Sequence, residues 1–356
     1  MKQITRMQTV LGVAFFCLLL LAVSLFFVDL KNIGGRSISI TKTPLQAEIL
    51  KSEEPEVLQE PLQRNNLSNL SCENYNSRPI AVMLAGDVEA RPLSGVSKAD
   101  MVIEMPVVTG SITRLMALFV CENAEEIGSV RSSRHDFIPL SLGFDAIFAH
   151  WGGSHFAYDE LNKGVINNLD AMINLHDAFY RKKGIYAPHN GFTSIERLKN
   201  ASKKLGYRME SKFEGYKFES PSDPVSTQDV SKNLRIGYSY PYNVEYKYDP
   251  AKQSYFRSKG GRPEIDKAGG EQVEVKNVVV MRAASRQIGG GYNDVDIIGS
   301  GQASVFKHGE EIKGAWKKAG SKDVLRFFDE NGEEIEFATG KIWINIVEPY
   351  TAVSYN

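Results

Sequence analysis

The chain has 356 residues, of which 42% are hydrophobic and 24% are charged, and its formal net charge is −1. This composition is typical of a globular protein of about two domains, and the balanced charge argues against a nucleic-acid partner. The three cysteines and six histidines include no group with zinc-ligand spacing, so we expect neither a metal site nor a cofactor.

The first predicted element is a membrane anchor. Residues 10–28 read VLGVAFFCLLLLAVSLFFV and carry no charge over a length that matches one bilayer crossing. Lys2 and Arg6 precede this run, so the positive-inside rule keeps the N-terminus in the cytoplasm. We predict a signal anchor over residues 1–30 and a single-pass protein of the cytoplasmic membrane, with its globular part outside.

Two alternatives exist for this segment. A cleaved signal peptide would use the small residues Ala22 and Ser24, but the apolar run continues past them to Val28. A lipoprotein would be acylated at Cys17, but the bulky Phe16 stands where a small residue is needed. An uncleaved anchor fits the segment better than either alternative.

Residues 31–77 are predicted to be a flexible linker. The segment is rich in Pro, Glu, Gln, Asn and Ser, as in KSEEPEVLQEPLQRNNLSNLS, and has no apolar periodicity. It would hold the globular part away from the membrane. Residues 1–77 would then be dispensable for folding.

An α/β domain is predicted over residues 78–220. Apolar runs at 79–84, 100–107, 114–120 and 145–153 predict strands. The segments HFAYDELNKG and SIERLKNASKKLG, and the stretch after Arg134, predict helices. Strands that alternate with helices indicate an α/β fold.

A mainly β domain is predicted over residues 221–356. Its segments alternate aromatic or aliphatic residues with polar ones, and Asn331-Gly332 is a strong hairpin signal. In the preceding part of the chain, Cys72 comes before the first predicted strand and Cys121 ends the third. Because disulfides persist outside the cytoplasm, we predict that these two cysteines are bonded.

Polar motifs stand at the ends of the apolar runs of the α/β domain, where sheets present side chains to a common crevice. Arginine forks suit a carboxylate or a phosphate, histidines transfer protons, and the N–H groups of a Gly-Gly-Ser turn can bind an anion. The alternative is that Arg91 and Arg114 form structural ion pairs with Asp100 and Glu104, and that His150 is a core histidine. We expect one cleft that holds Arg91, Arg114, Arg131, Arg134, His150 and His189, with Glu104 nearby, and the further ligand-binding candidates are Gly152, Gly153 and Ser154.

Several long motifs identify a family resemblance. ARPLSGVSKADMVIEMPV, GSITRLMALF, IGSVRSSR, DAIFAHWGGS and APHNGFTS resemble the YerB-like DUF3048 family of bacterial envelope proteins, and residues 303–349 resemble its C-terminal domain. The resemblance covers about residues 75–355 and implies a tethered envelope protein of unassigned activity. Many members resemble lipoproteins, whereas this chain is predicted to use a transmembrane helix. Matched by motif, Thr113, Ser132 and Asn190 join the candidate ligand-binding residues.

Two functions follow from these residues. The first is a binding or regulatory protein of the cell envelope, which holds an anionic or polar ligand, an envelope glycan or a cell-wall protein through an arginine-rich cleft. The second is an envelope hydrolase or transferase that acts on glycan or phosphodiester. In that enzyme Glu104 or His150 would be the general acid or base, with His189 as a further candidate. Binding is favoured, because no nucleophile–base pair or metal triad is evident in the sequence.

Overall fold

The computed structural model describes residues 63–108, 112–220 and 232–356. The predicted anchor and most of the predicted linker lie outside these residues. In the described part of the chain, no helix is both long enough and apolar enough to cross a membrane.

The described residues contain many more strands than helices. The helices are α1 (Phe137–Gly143), α2 (His155–Leu161) and α3 (Ile195–Lys204), with short 3-10 turns at Val88–Ala90, Val96–Lys98 and Leu175–Asp177. In chain order the strands are β1 (Ile80–Ala85), β2 (Met101–Pro106), β3 (Thr113–Phe119), β4 (Ile127–Gly128), β5 (Ile147–His150), β6 (Asn168–Asp170), β7 (Tyr180–Arg181), β8 (Gly191–Thr193), β9 (Asn233–Ile236), β10 (Val244–Asp249), β11 (Ser254–Lys259), β12 (Arg262–Pro263), β13 (Glu274–Val275), β14 (Asn277–Arg282), β15 (Ser285–Gly289), β16 (Tyr292–Val295), β17 (Gly299–Lys307), β18 (Glu310–Lys318), β19 (Arg326–Asp329), β20 (Ile342–Val347) and β21 (Val353–Tyr355).

One large sheet draws on both predicted domains. Its strand order is β19-β18-β17-β14-β20-β2-β3-β1-β5-β6. The halves of the chain meet where β2 pairs in parallel with β20, and Ile103 lies opposite Ile344. The predicted boundary near residue 220 stays a prediction, since the sheet is continuous across the two halves.

The fold is mostly β-sheet, so the predicted α/β character is right only in part. The expected helices form, and Ser154 and Ser194 cap α2 and α3 with side-chain oxygens. However, β1, β3 and β2 pair antiparallel, and the parallel pairs are β1 with β5, β5 with β6, β2 with β20 and β14 with β20. Antiparallel pairing needs no crossover helix, which explains why helices are few.

A second, smaller sheet covers one face of the large one. Its order is β12-β11-β10-β9-β21, with β13 also paired to β11. Tyr246 and Tyr255 of this sheet share a buried cluster with Val102 and Leu115 of the large sheet. On the opposite face, Phe137 of α1 belongs to a second buried cluster. Both faces of the central strands are thus covered, as their continuous apolar runs predict.

Residues 63–77 belong to the folded unit, so the linker prediction is wrong for this segment. Leu67 is buried, and the Asn69 amide donates to Thr339 Oγ1 at 2.8 Å. Cys72 is bonded to Cys121, with the Cα atoms 5.6 Å apart, which is the pairing that the sequence predicts. The boundary was misplaced because a short, polar segment can still be fixed by a few long-range contacts.

Candidate functional site

Three arginines surround one carboxylate beyond the C-terminal end of β1. Arg114 Nη1 and Arg131 Nε each lie 3.4 Å from Asp87 Oδ2. Arg134 is close enough for its charge to act on Arg114. We refer to Arg114, Arg131 and Arg134 as the arginine cluster.

Strand pairing explains why these residues meet. In the antiparallel pair of β1 and β3, Arg114 lies opposite Ala85, two residues before Asp87. Arg131 follows Val130, which bridges Leu84, and the Arg131 N–H donates to the Met83 carbonyl at 2.8 Å. The start of β3 and the segment after β4 therefore flank the end of β1.

Arg134 is held by a hairpin from the second half of the chain. Its guanidinium lies 5.2 Å from the ring centroid of Tyr292, the first residue of β16. Its Nη1 donates to the Ser133 carbonyl at 3.1 Å. Stacking of this kind fixes a guanidinium while leaving much of its charge unneutralised.

The arginine cluster carries more positive charge than its surroundings neutralise. Burial lowers the pKa of Arg114 to about 9, Asp87 opposes this shift, and the charges of Arg131 and Arg134 add to it. Burial also lowers the pKa of Arg134. The buried Nε atoms of Arg114 and Arg134 have no hydrogen-bond partner in the structure. Asp136 also acts on Arg134, but two carboxylates do not balance three cations, so a further anion would stabilise the cluster.

Glu104 does not belong to this cluster. It lies on the other face of the sheet, where Arg257, Lys259 and Thr113 all bond to its carboxylate. Burial favours the protonated form, but Arg257 and Lys259 outweigh it and lower the pKa of Glu104 to about 2. A carboxylate with no exposed surface that stays ionised is unsuited to the predicted role of general acid or base.

Arg91 is also separate from the arginine cluster. Its Nη2 donates to the Gly86 carbonyl at 3.0 Å and its Nη1 to the Pro241 carbonyl at 3.3 Å. Tyr242 lies beneath its guanidinium at 5.7 Å. The single cleft expected from the sequence is thus two neighbouring regions, because side chains alternate between the faces of a sheet.

His150 is a core histidine, as the alternative reading anticipated. Its ring is fully buried, with Nδ1 2.9 Å from the Gly152 carbonyl and Nε2 3.3 Å from Asn168 Oδ1. Burial lowers its pKa, although neighbouring Asp170 acts in the opposite direction. Both ring nitrogens are engaged, so the structure gives His150 a positioning role at the end of β5.

Most polar groups of the Gly152–Ser154 turn form hydrogen bonds with other residues of the protein. The Gly152 N–H donates to Asp170 at 2.9 Å, and the Ser154 N–H donates to the Ser133 carbonyl at 3.2 Å. Ser154 Oγ accepts from the Ala157 N–H to cap α2. The predicted anion cradle is therefore occupied by protein groups, and the turn instead fixes the segment that carries Arg131 and Arg134.

The remaining candidates have separate environments. Thr113 belongs with Glu104, and Ser132 is half-buried between the arginines. Asn190 accepts from Arg181 at 2.7 Å, and Arg181 in turn stacks on Trp151. In the part of the chain that the structure describes, no hydrogen bond or ion pair joins His189 to the arginine cluster.

Sequence reasoning missed Asp87, Tyr292, Arg257 and Lys259. Asp87 could have been found, because it follows Gly86 directly after a buried strand. Tyr292, Arg257 and Lys259 come from the second half of the chain, and no local pattern marks them as neighbours of the first half.

Comparisons with known proteins identify the family. Residues 67–208 match the family described as "Protein of unknown function (DUF3048) N-terminal domain", and residues 234–344 match its C-terminal domain. The chain is 34% identical over 279 residues to "Putative lipoprotein YerB" of Bacillus subtilis (strain 168). This alignment covers 78% of this chain and 83% of the relative. The crystal structure of YerB protein from Bacillus subtilis superimposes with a TM-score of 0.73 at 32% identity, covering 82% of this chain and 99% of that one. The chain therefore belongs to the YerB-like DUF3048 family.

Proposed function

We propose that this member of the DUF3048 family is a membrane-anchored binding or regulatory protein of the bacterial cell envelope, and that its arginine cluster recognises an anionic group. The observation that carries this proposal is the sharing of Asp87 by Arg114 and Arg131, with Arg134 beside them. Like charges gathered around too few carboxylates favour an anionic ligand.

The location rests on two supports. The uncharged run at residues 10–28 has the length and basic flank of an N-terminal anchor. The Bacillus subtilis relative is named a lipoprotein, which implies attachment to a membrane by other means. A tether of either kind confines the folded part near the membrane surface, where it meets envelope glycans and cell-wall proteins at high effective concentration.

Binding is better supported than the alternative of an envelope hydrolase or transferase. That enzyme would need Glu104 or His150 to exchange protons with a substrate. Both side chains are fully buried and already bonded to protein groups. The arginine cluster, by contrast, needs only a charged partner.

Calorimetric titration of the full-length protein with inorganic phosphate, and then with acidic muropeptides, tests the proposal. Arg131→Ala and Arg134→Ala should each weaken binding about tenfold or more, since a charge-assisted hydrogen bond is lost. The melting temperature should stay the same or rise, because removing one like charge relieves repulsion. Arg235→Ala, an exposed arginine on β9, is the matched control. If neither anion binds, or if the control weakens binding equally, the proposal is wrong.

A further inference from the structure

A cavity of about 450 Å³ lies between the segment after β1 and the β11–β12 hairpin, and Arg91 is part of its lining. Its volume lies within the range of about 300–1,000 Å³ that small-molecule sites occupy. No member of the arginine cluster lines it. Six residues of the lining carry the argument: Arg91, Leu93, Tyr240, Pro241, Lys259 and Arg262.

The lining of the cavity has an excess of positive charge. Lys259 is only 4% exposed and is paired with Glu104, while Glu264 of the lining is bound by buried Arg257. Each of these two ion pairs has no net charge. Arg91 and Arg262 remain, of which Arg262 is exposed and Arg91 is partly buried with its fork donating to two carbonyl groups. A bound anion would thus meet two cations without an acidic partner of their own in the lining.

Part of the cavity wall is apolar. Leu93 is buried beneath it, and Pro241 adds a rigid surface without an N–H group. Tyr240 is 82% exposed although it is a large aromatic residue. An exposed aromatic side chain beside an apolar recess is a frequent feature of binding sites, because it supplies contact area at small entropic cost.

We propose that this cavity binds a carboxylate that is attached to an apolar group. This chemistry belongs to the C-terminus of a peptide that ends in an apolar residue, and also to a free apolar amino acid. Arg262 would bond to the carboxylate and Arg91 would attract it by charge, while Leu93, Pro241 and Tyr240 would pack on the apolar part. Arg91 acts through its charge, because its Nη atoms already donate to the Gly86 and Pro241 carbonyls.

Titration of the full-length protein with three probes tests this inference. The probes are acetyl-Leu-Leu with a free carboxylate, the same dipeptide as its C-terminal amide, and leucine. The free acid should bind at least about tenfold more tightly than the amide, as expected for one charge-assisted contact. Equal binding of leucine and the dipeptide acid would identify a free amino acid as the source of the group. Binding of the dipeptide acid alone would identify a peptide terminus.

Matched variants separate this site from the surface and from the arginine cluster. Arg262→Ala should weaken binding of the acid about tenfold and leave the amide unchanged, whereas Tyr240→Ala should weaken both. Arg235→Ala and Tyr350→Ala, which also remove exposed side chains, should change neither. Arg134→Ala should leave dipeptide binding intact, so failure here is distinguishable from failure of the proposed function. Equal affinity for acid and amide, or no binding of any probe at millimolar concentration, would overturn the inference.

Discussion

Arg257 and Glu104 stand 153 residues apart in the chain and form a salt bridge with no exposed surface. Arg257 belongs to β11 of the smaller sheet and Glu104 to β2 of the larger one, so the bridge joins the two sheets. The guanidinium also bonds to Glu264 and to the Tyr246 hydroxyl. Such a network is stable only when every member is present, because each buried charge depends on its partners.

Replacement of Glu104 should therefore be strongly destabilising. Glu104→Gln keeps the shape of the side chain but leaves Arg257 and Lys259 without a full countercharge, and the free energy of unfolding should fall by about 3–5 kcal/mol. Urea denaturation measures the loss. Glu330→Gln, which removes an exposed carboxylate, is the control. A loss below about 1 kcal/mol, as for surface pairs, would show that the network is not essential.

The lowered pKa of Glu104 should make the stability of the fold depend on pH. Its pKa falls from 4.5 to about 2 on folding, so the unfolded state binds the proton first as the pH drops. The contribution of Glu104 is complete above about pH 4.5 and is lost as the pH falls towards 2. The stability difference between wild type and Glu104→Gln should shrink as the pH falls below about 4.5. A difference that is unchanged down to about pH 2.5 would contradict the assignment.

The Cys72–Cys121 disulfide should stabilise the folded unit. It closes a loop with a sequence separation of 49, and replacement of both cysteines by serine should lower the free energy of unfolding by about 2–4 kcal/mol. A reducing agent should have the same effect on the wild type and none on the double variant. Cys17→Ser, outside the described residues, is the control. Identical melting of oxidised and reduced protein would argue against the bond.

Residues 63–77 should be required for full stability. A chain that begins at residue 60 should melt like the full-length protein, whereas one that begins at residue 78 loses buried Leu67 and the Ser68 hydroxyl that donates to Asp100 at 2.7 Å. Burial of one leucine contributes about 1.5–3 kcal/mol. The shorter chain should therefore be less stable than the disulfide-free variant, which controls for Cys72. If the chain that begins at residue 78 melts at the same temperature as the disulfide-free variant, residues 63–77 add nothing else to stability and the linker ends at residue 77.

Removal of Asp87 should reveal the unbalanced charge of the arginine cluster. Asp87→Asn deprives Arg114 and Arg131 of their shared carboxylate, and the loss of the charged hydrogen bond from Arg114 should lower the stability by about 1–3 kcal/mol. Phosphate should then raise the melting temperature of the variant more than that of the wild type, because the added anion replaces the missing charge. Asp159→Asn, which removes an exposed carboxylate on α2, is the control. No difference in the phosphate response would mean that no anion enters the cluster.

The positions of the central strands and of the helices follow from local sequence, because apolar runs mark the strands and serines cap α2 and α3. The sequence also led to the family and to the arginines Arg114, Arg131 and Arg134. The pairing of Glu104 with Arg257 and Lys259, away from those arginines, and the inclusion of residues 63–77 in the fold depend on long-range contacts that the structure reveals. Local patterns report which residues are buried, but the partner of a buried charge is fixed by strand pairing and sheet packing between residues that are far apart in the chain.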